Sequence, residues 1–176
     1  MSLSLFILSP LLTALLVFLI KKPAAVRWIS LGGAIVQLGL AVWLLMAYFQ
    51  ERALGQTAQF LFEEQYTWFS SWNISYHIGV DGISVGMILL TAIVVLGGYL
   101  VSWKVEKLTA EYYFLLTLLA LGAYGFFISL DLLLLFFFLE VAVIPKYLLI
   151  VIWGSNSIAS NLHFWTYANQ IGRAHV

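Results

Sequence analysis

Five stretches of this chain, each close to twenty residues long and nearly free of charge, restrict its fold more than any other feature. They are Leu3 to Ile20, Trp28 to Phe49, about Gly82 to Trp103, Tyr112 to Leu130, and Leu132 to Gly154. A helix needs about 20 residues to cross the hydrocarbon core of a bilayer. Lipid offers no partner to a backbone N–H or C=O, so a continuous apolar run must cross as a helix. Spanning strands are shorter and alternate polar with apolar residues. Composition points the same way. Hydrophobic residues make up 63% of the chain and charged residues 9%, against roughly 45–50% and about 25% in soluble domains. A soluble fold of this size could not hide so much apolar surface. The chain therefore reads as an all-α integral membrane protein with about five transmembrane helices. Its transmembrane region is 1–154 (helices about 3–20, 28–49, 82–103, 112–130 and 132–154), with an outer loop at 50–81 and a polar tail at 155–176.

Several classes of function are excluded. Eight Lys and Arg balance eight Asp and Glu, which leaves no basic surplus for nucleic acid. With no cysteine in the chain, there is no disulfide, iron–sulfur cluster or thiolate metal site. Three histidines, His77, His163 and His175, do not make a haem or zinc site. Neither GxGxxG nor GxxxxGK followed by Ser or Thr occurs, so no nucleotide-binding loop is expected. No cofactor or metal is expected in this chain, and any electron transfer it serves must run through other subunits.

Sidedness follows from Lys and Arg in the short links. Lys21, Lys22 and Arg27 join the first two stretches, and Lys104 and Lys107 join the third and fourth. The long link between the second and third holds only Arg52, beside Glu51, Glu63 and Glu64. Five basic residues against one place the N-terminus outside the cytoplasm and the end of the fifth helix inside. The first stretch has no basic residue before its apolar run, so it is a retained helix rather than a signal peptide. The junction Ser129-Leu130-Asp131 is so short that the fourth and fifth helices must form an antiparallel hairpin. The outer loop is rich in aromatic residues (Phe60, Phe62, Tyr66, Trp68, Phe69, Trp72, Tyr76), as in an interfacial belt or a docking surface for a neighbouring subunit. Asn73-Ile74-Ser75 also matches a glycosylation acceptor, a pattern too short to weigh. The tail after Gly154 holds no spanning run and is read as a short cytoplasmic tail or the cut end of a longer chain.

Glu140 is the residue most suggestive of chemistry. It lies roughly 14 Å into the fifth helix at 1.5 Å per residue, near the bilayer midplane. A carboxylate there costs about 2.5–3.5 kcal/mol on insertion scales and persists only against protein, water or a cation. Burial favours its neutral form and a nearby cation its charged form, so it can exchange a proton when a partner moves. Lys146 is a further candidate for the same proton path. Six residues turn a helix by about 600°, so Lys146 and Glu140 point different ways and form no i,i+4 pair. Pro145 removes a backbone hydrogen bond between them and can kink the helix; Lys146 can equally snorkel to the interface. Asp81 and Asp131 are placed to cap the third and fifth helices. His77, at the membrane border, is a weaker candidate for a proton-responsive group. Glu106 and Glu111, beside Lys104 and Lys107, read as a solvated charged turn.

Three runs together resemble one family: Tyr76-His77-Ile78-Gly79-Val80-Asp81-Gly82-Ile83-Ser84, Leu130 to Phe136, and Leu139-Glu140-Val141-Ala142-Val143-Ile144-Pro145-Lys146-Tyr147 through Trp153-Gly154. The chain is similar to the subunit M (chain 4) family of proton-translocating NADH:quinone oxidoreductase, respiratory complex I, over about residues 1–154. The resemblance implies the N-terminal part of a fourteen-helix antiporter-like fold built on two inverted five-helix repeats. It implies that Glu140 is the functional glutamate of a proton path, working with lysines on later helices. It gives no role to Lys146, where many members have an apolar residue. It also implies proton translocation coupled to electron transport from NADH to quinone, with NADH, flavin, iron–sulfur clusters and quinone on other membrane and peripheral subunits. A bacterial inner membrane is the implied location. The related alternatives are a subunit of a multisubunit sodium/proton antiporter and a truncated fragment that inserts without pumping.

Overall fold

The computed structural model describes residues 2–20, 22–69 and 74–154. Lys21, Trp72, Asn73 and the polar tail at 155–176 lie outside the described residues. The chain runs α1 (Leu5–Leu19), α2 (Pro23–Ala53), β1 (Leu61–Phe69), β2 (Ile74–Val80), α3 (Gly82–Val101), α4 (Thr109–Ile128) and α5 (Leu132–Trp153), with a short 3-10 turn, Ser102–Lys104, after α3.

Helices α1 to α4 pack around a common core, and α5 lies against α4. On α2 the buried positions are Val26, Ser30, Ala34, Gln37, Ala41 and Leu44. Steps of three and four residues keep one stripe of the helix inward. On α3 the same steps bury Val85, Ile88, Ala92, Val95 and Tyr99. The opposite faces are apolar too, with Ile35, Val36, Trp43, Ile93 and Val94 exposed. Apolar residues on both faces are what a helix wetted by lipid requires.

The helix ends differ from the expected ones for local reasons. α2 starts at Pro23 rather than Trp28, because proline at the first helical position lacks only an N–H that would be unpaired anyway. α4 starts at Thr109, just after Leu108, which is left-handed at φ 51. α1 is shorter than the expected 3–20. Its 15 residues rise about 22 Å, against about 30 Å of hydrocarbon. Its start is set by Glu64, whose carboxylate takes the Leu3 N–H and the Ser4 hydroxyl, both at 2.6 Å. The other four helices are long and apolar enough to span by themselves.

The aromatic-rich outer loop, to which no regular structure was assigned, contains an antiparallel hairpin pairing Leu61 with Val80 and Tyr66 with Tyr76. Its aromatic and β-branched residues favour a pleated, half-buried surface. Leu61, Ile78 and Val80 enter the core. Ile78 bridges Ser129, and the His77 carbonyl accepts the Leu130 N–H at 2.9 Å. The hairpin thus ties the α4–α5 junction to the entry of α3.

Candidate functional site

α5 is held against α4 by two glycines. A Cβ on Gly122 would lie 2.5 Å from the backbone nitrogen of Ala142, and one on Gly125 would lie 2.2 Å from the Phe138 ring. No side chain fits at either place, so the helices approach closely on both sides of Glu140. Leu134, Phe138 and Pro145 form the buried face of α5. Pro145 has no N–H, so the Val141 carbonyl lacks its usual helical partner.

Glu140 and Lys146 are both exposed on α5, on different faces of the helix. Glu140 shares its face with Leu133, Phe136, Phe137, Ile144 and Tyr147, a surface otherwise fit for lipid or for another apolar helix. Among the described residues, the one ion pair is His77 Nε2 with Glu63 Oε2 at 3.0 Å, on the hairpin. Glu140 and Lys146 are therefore not brought together, and α1 to α4 supply no cation to the carboxylate.

The two aspartates sit at helix entrances. Asp81 Oδ1 accepts the Ser84 N–H at 2.7 Å, and that bond holds its carboxyl below the usual carboxylate range. Asp131 Oδ1 accepts from Leu133 and Leu134 at 2.9 and 3.2 Å. Asp131 thereby fixes where α5 starts and, with Pro145 and the glycine contacts, where Glu140 stands.

Sequence reasoning missed two polar features inside the bundle. Gln37 is 3% exposed and its amide donates to Ser9 Oγ at 2.6 Å, while its Oε1 has no partner. Tyr99 and Thr117 share a hydroxyl hydrogen bond of 2.8 Å, and the Tyr113 hydroxyl donates to the Ser102 carbonyl at 3.2 Å. A lone amide in the apolar run of α2 was the available signal for the first. The second depends on contacts between helices, which one sequence does not display. Among the described residues, no group of three or more His, Asp or Glu gathers to hold a metal.

No family model matches the chain. It is similar to chain 4 of the chloroplastic NAD(P)H-quinone oxidoreductase of Angiopteris evecta, 36% identical over 154 residues, covering 86% of this chain and 30% of the relative. It is 37% identical over 155 residues to NAD(P)H-quinone oxidoreductase chain 4 2 of Microcystis aeruginosa, covering 86% and 27%. To chain 4-2 of Synechocystis sp. it is 35% identical over 148 residues, covering 82% and 26%. The chain spans less than a third of the length of these relatives. Among solved structures, it superposes on the membrane-bound sulfane sulfur reductase, an archaeal respiratory membrane complex, with a TM-score of 0.65. Identity is 20%, and the match covers 84% of this chain and 22% of that one, a likeness of fold.

Proposed function

We propose that this chain, a homologue of the chain 4 subunits of NAD(P)H-quinone oxidoreductase, is membrane-embedded protein of such a complex and takes part in proton translocation driven by electron transfer to quinone. The observation that carries this reading is Glu140. It is a carboxylate midway along a membrane-length apolar helix, on a side that the described residues leave uncovered. Facing lipid, it would cost about 2.5–3.5 kcal/mol. The cost is avoided when further polypeptide supplies water or a cation. The relatives are more than three times as long as the matched region, so they have the further chain needed to do so.

In this reading, electron carriers sit on other subunits and the contribution of this chain is electrostatic. A cation moving toward Glu140 favours the carboxylate and releases a proton, and its withdrawal favours the neutral acid and takes one up. Lys146 is also exposed on α5, about 120° round the helix from Glu140, and is a secondary candidate in the path. The relatives named above are oxidoreductase subunits, which favours this reading over a sodium/proton antiporter. The positive-inside pattern supports an N-terminus outside the cytoplasm, or on the equivalent side of an internal membrane.

The test is Glu140→Gln in the intact complex, with NADH–quinone activity and proton uptake measured in sealed vesicles. The expected result is a complex that assembles normally but loses most of its coupled activity and proton transport, with Glu140→Asp retaining more than Glu140→Gln. Normal coupled transport in Glu140→Gln would defeat the assignment.

A further inference from the structure

Away from Glu140, four of the described cations, Lys22, Arg27, Lys104 and Lys107, gather at one end of the bundle, and Arg52 stands at the other. Lys22 immediately precedes α2, and Arg27 follows in its second turn. The α3–α4 link, with Lys104 and Lys107, crosses beside them. Arg27 joins the two segments, its Nη2 donating to the Val105 carbonyl at 3.0 Å. Next to it, the rings of Trp28 and Trp103 meet edge to face at 5.3 Å. Glu106 and Glu111 lie on the same link. Even so, the only ion pair among the described residues is the distant His77–Glu63 pair. Four cations thus stand against two acids with no ion pair between them, and Arg27 Nε is buried without a partner.

We propose that this end of the bundle holds the headgroup phosphate of an anionic membrane phospholipid between Arg27 and Lys104, with Trp28 and Trp103 against its glycerol and upper acyl region. Its position supports a lipid. Tryptophans at the ends of spanning helices mark the membrane–water boundary, and cations just outside that boundary attract anionic headgroups. A guanidinium pinned at one nitrogen holds its outward N–H groups in a fixed plane, which suits a phosphate better than a loose ammonium; the buried Nε takes no part in this contact. The surface below the charges separates a lipid from an acidic peptide. Trp28, Ile35 and Val42 are all exposed, and a spacing of seven residues stacks them on one face of α2. The apolar track runs from the cations about 21 Å into the bilayer, the course of an acyl chain.

The experiment uses the intact membrane complex in phosphatidylcholine vesicles carrying a minor fraction of photoactivatable phosphatidylglycerol or photoactivatable phosphatidylcholine. Cross-links are mapped by mass spectrometry. Phosphatidylglycerol is expected to label the peptides bearing Trp28 and Trp103 several-fold more than phosphatidylcholine. That excess disappears in Arg27→Gln/Lys104→Gln and survives in Arg27→Lys/Lys104→Arg. Equal labelling by the two lipids, or an excess that survives the glutamine pair, overturns the proposal. So does a cross-link from these peptides to an acidic segment of another protein with both lipids excluded. Should the glutamine pair fail to assemble, the wild-type comparison at about 1 M salt decides, since charges are then screened beyond about 3 Å. The excess must fall there, and an excess indifferent to salt overturns the proposal.

Discussion

A polar side chain inside an apolar bundle is stable only if its partners are in place, and the two residues that make such a contact here are not equivalent. Ser9 Oγ accepts from Gln37 at 2.6 Å while donating to the Leu5 carbonyl at 2.8 Å. Gln37 Oε1 already lacks a partner. In Gln37→Leu, Ser9 keeps its own bond, and an unpaired acceptor is removed; the expected change in stability is within about 1 kcal/mol of zero. In Ser9→Ala, the buried amide loses its acceptor, with an expected loss of about 1–2 kcal/mol. Thermal unfolding in detergent should rank Ser9→Ala below Gln37→Leu, and the reverse order would refute the assigned bond. Outside the membrane, Glu64 gives a pH-dependent contact. Burial pushes its carboxyl up, but bonds from the Ser4 hydroxyl and the Leu3 N–H outweigh this and leave it below the usual range. A depressed carboxyl stabilises the fold above its unfolded value, about 4.3, and that stability is lost as pH falls through the lower folded value. Amide exchange at Leu3, corrected for intrinsic rate, is therefore expected to be flat between about pH 5 and 8 and to accelerate only in acid. Sequence made Glu140, Asp81 and Asp131 visible because their positions relative to apolar runs are local facts. It hid Glu64, whose partners lie some sixty residues away in the chain.

At the scale of elements, the α4–α5 hairpin makes the sharpest claim. Both glycines of α4 exclude a methyl group, but against different atoms. Gly125 faces the Phe138 ring, which can be trimmed, whereas Gly122 faces the backbone of Ala142, which cannot. Gly125→Ala is expected to cost about 1–3 kcal/mol through overpacking, with part of the loss recovered in Gly125→Ala/Phe138→Leu. Gly122→Ala is expected to cost as much or more, with no rescue from substituting the residue at 142. Double-mutant cycles on thermal stability would check both, and additive effects for Gly125 and Phe138 would contradict the contact. The helices themselves were legible in the sequence, because a run of about twenty apolar residues admits few other structures. The antiparallel α4–α5 turn followed from a junction too short for anything else. The hairpin from Leu61 to Val80 was not legible. Its strands alternate imperfectly, and part of what fixes them is pairing to Ser129 and Leu130, residues remote in sequence. The shortness of α1 was hidden for the same reason, since its start is set from β1.

For the whole molecule, the decisive property is which end of the bundle faces which compartment. Lys22, Arg27, Lys104 and Lys107 mark one end, and the hairpin with Glu63, Glu64 and His77 marks the other. From charge asymmetry the expected orientation has the basic end inward. The absence of cysteine from the chain makes this orientation directly measurable. Gln56 and Glu106 are both exposed, at opposite ends, so Gln56→Cys and Glu106→Cys each introduce a single thiol where a bulk reagent reaches it. In intact cells or right-side-out vesicles, a membrane-impermeant maleimide is expected to shift the mass of the Gln56→Cys chain and leave Glu106→Cys unmodified until the membrane is permeabilised. Inverted vesicles should give the opposite pattern. If Glu106→Cys were the one labelled from outside, the basic end would face outward. The helix that carries Glu140 would then enter the membrane from the opposite side. Labelling of both from one side would mean that the chain does not cross an odd number of times between them, which would contradict α3 as a spanning helix.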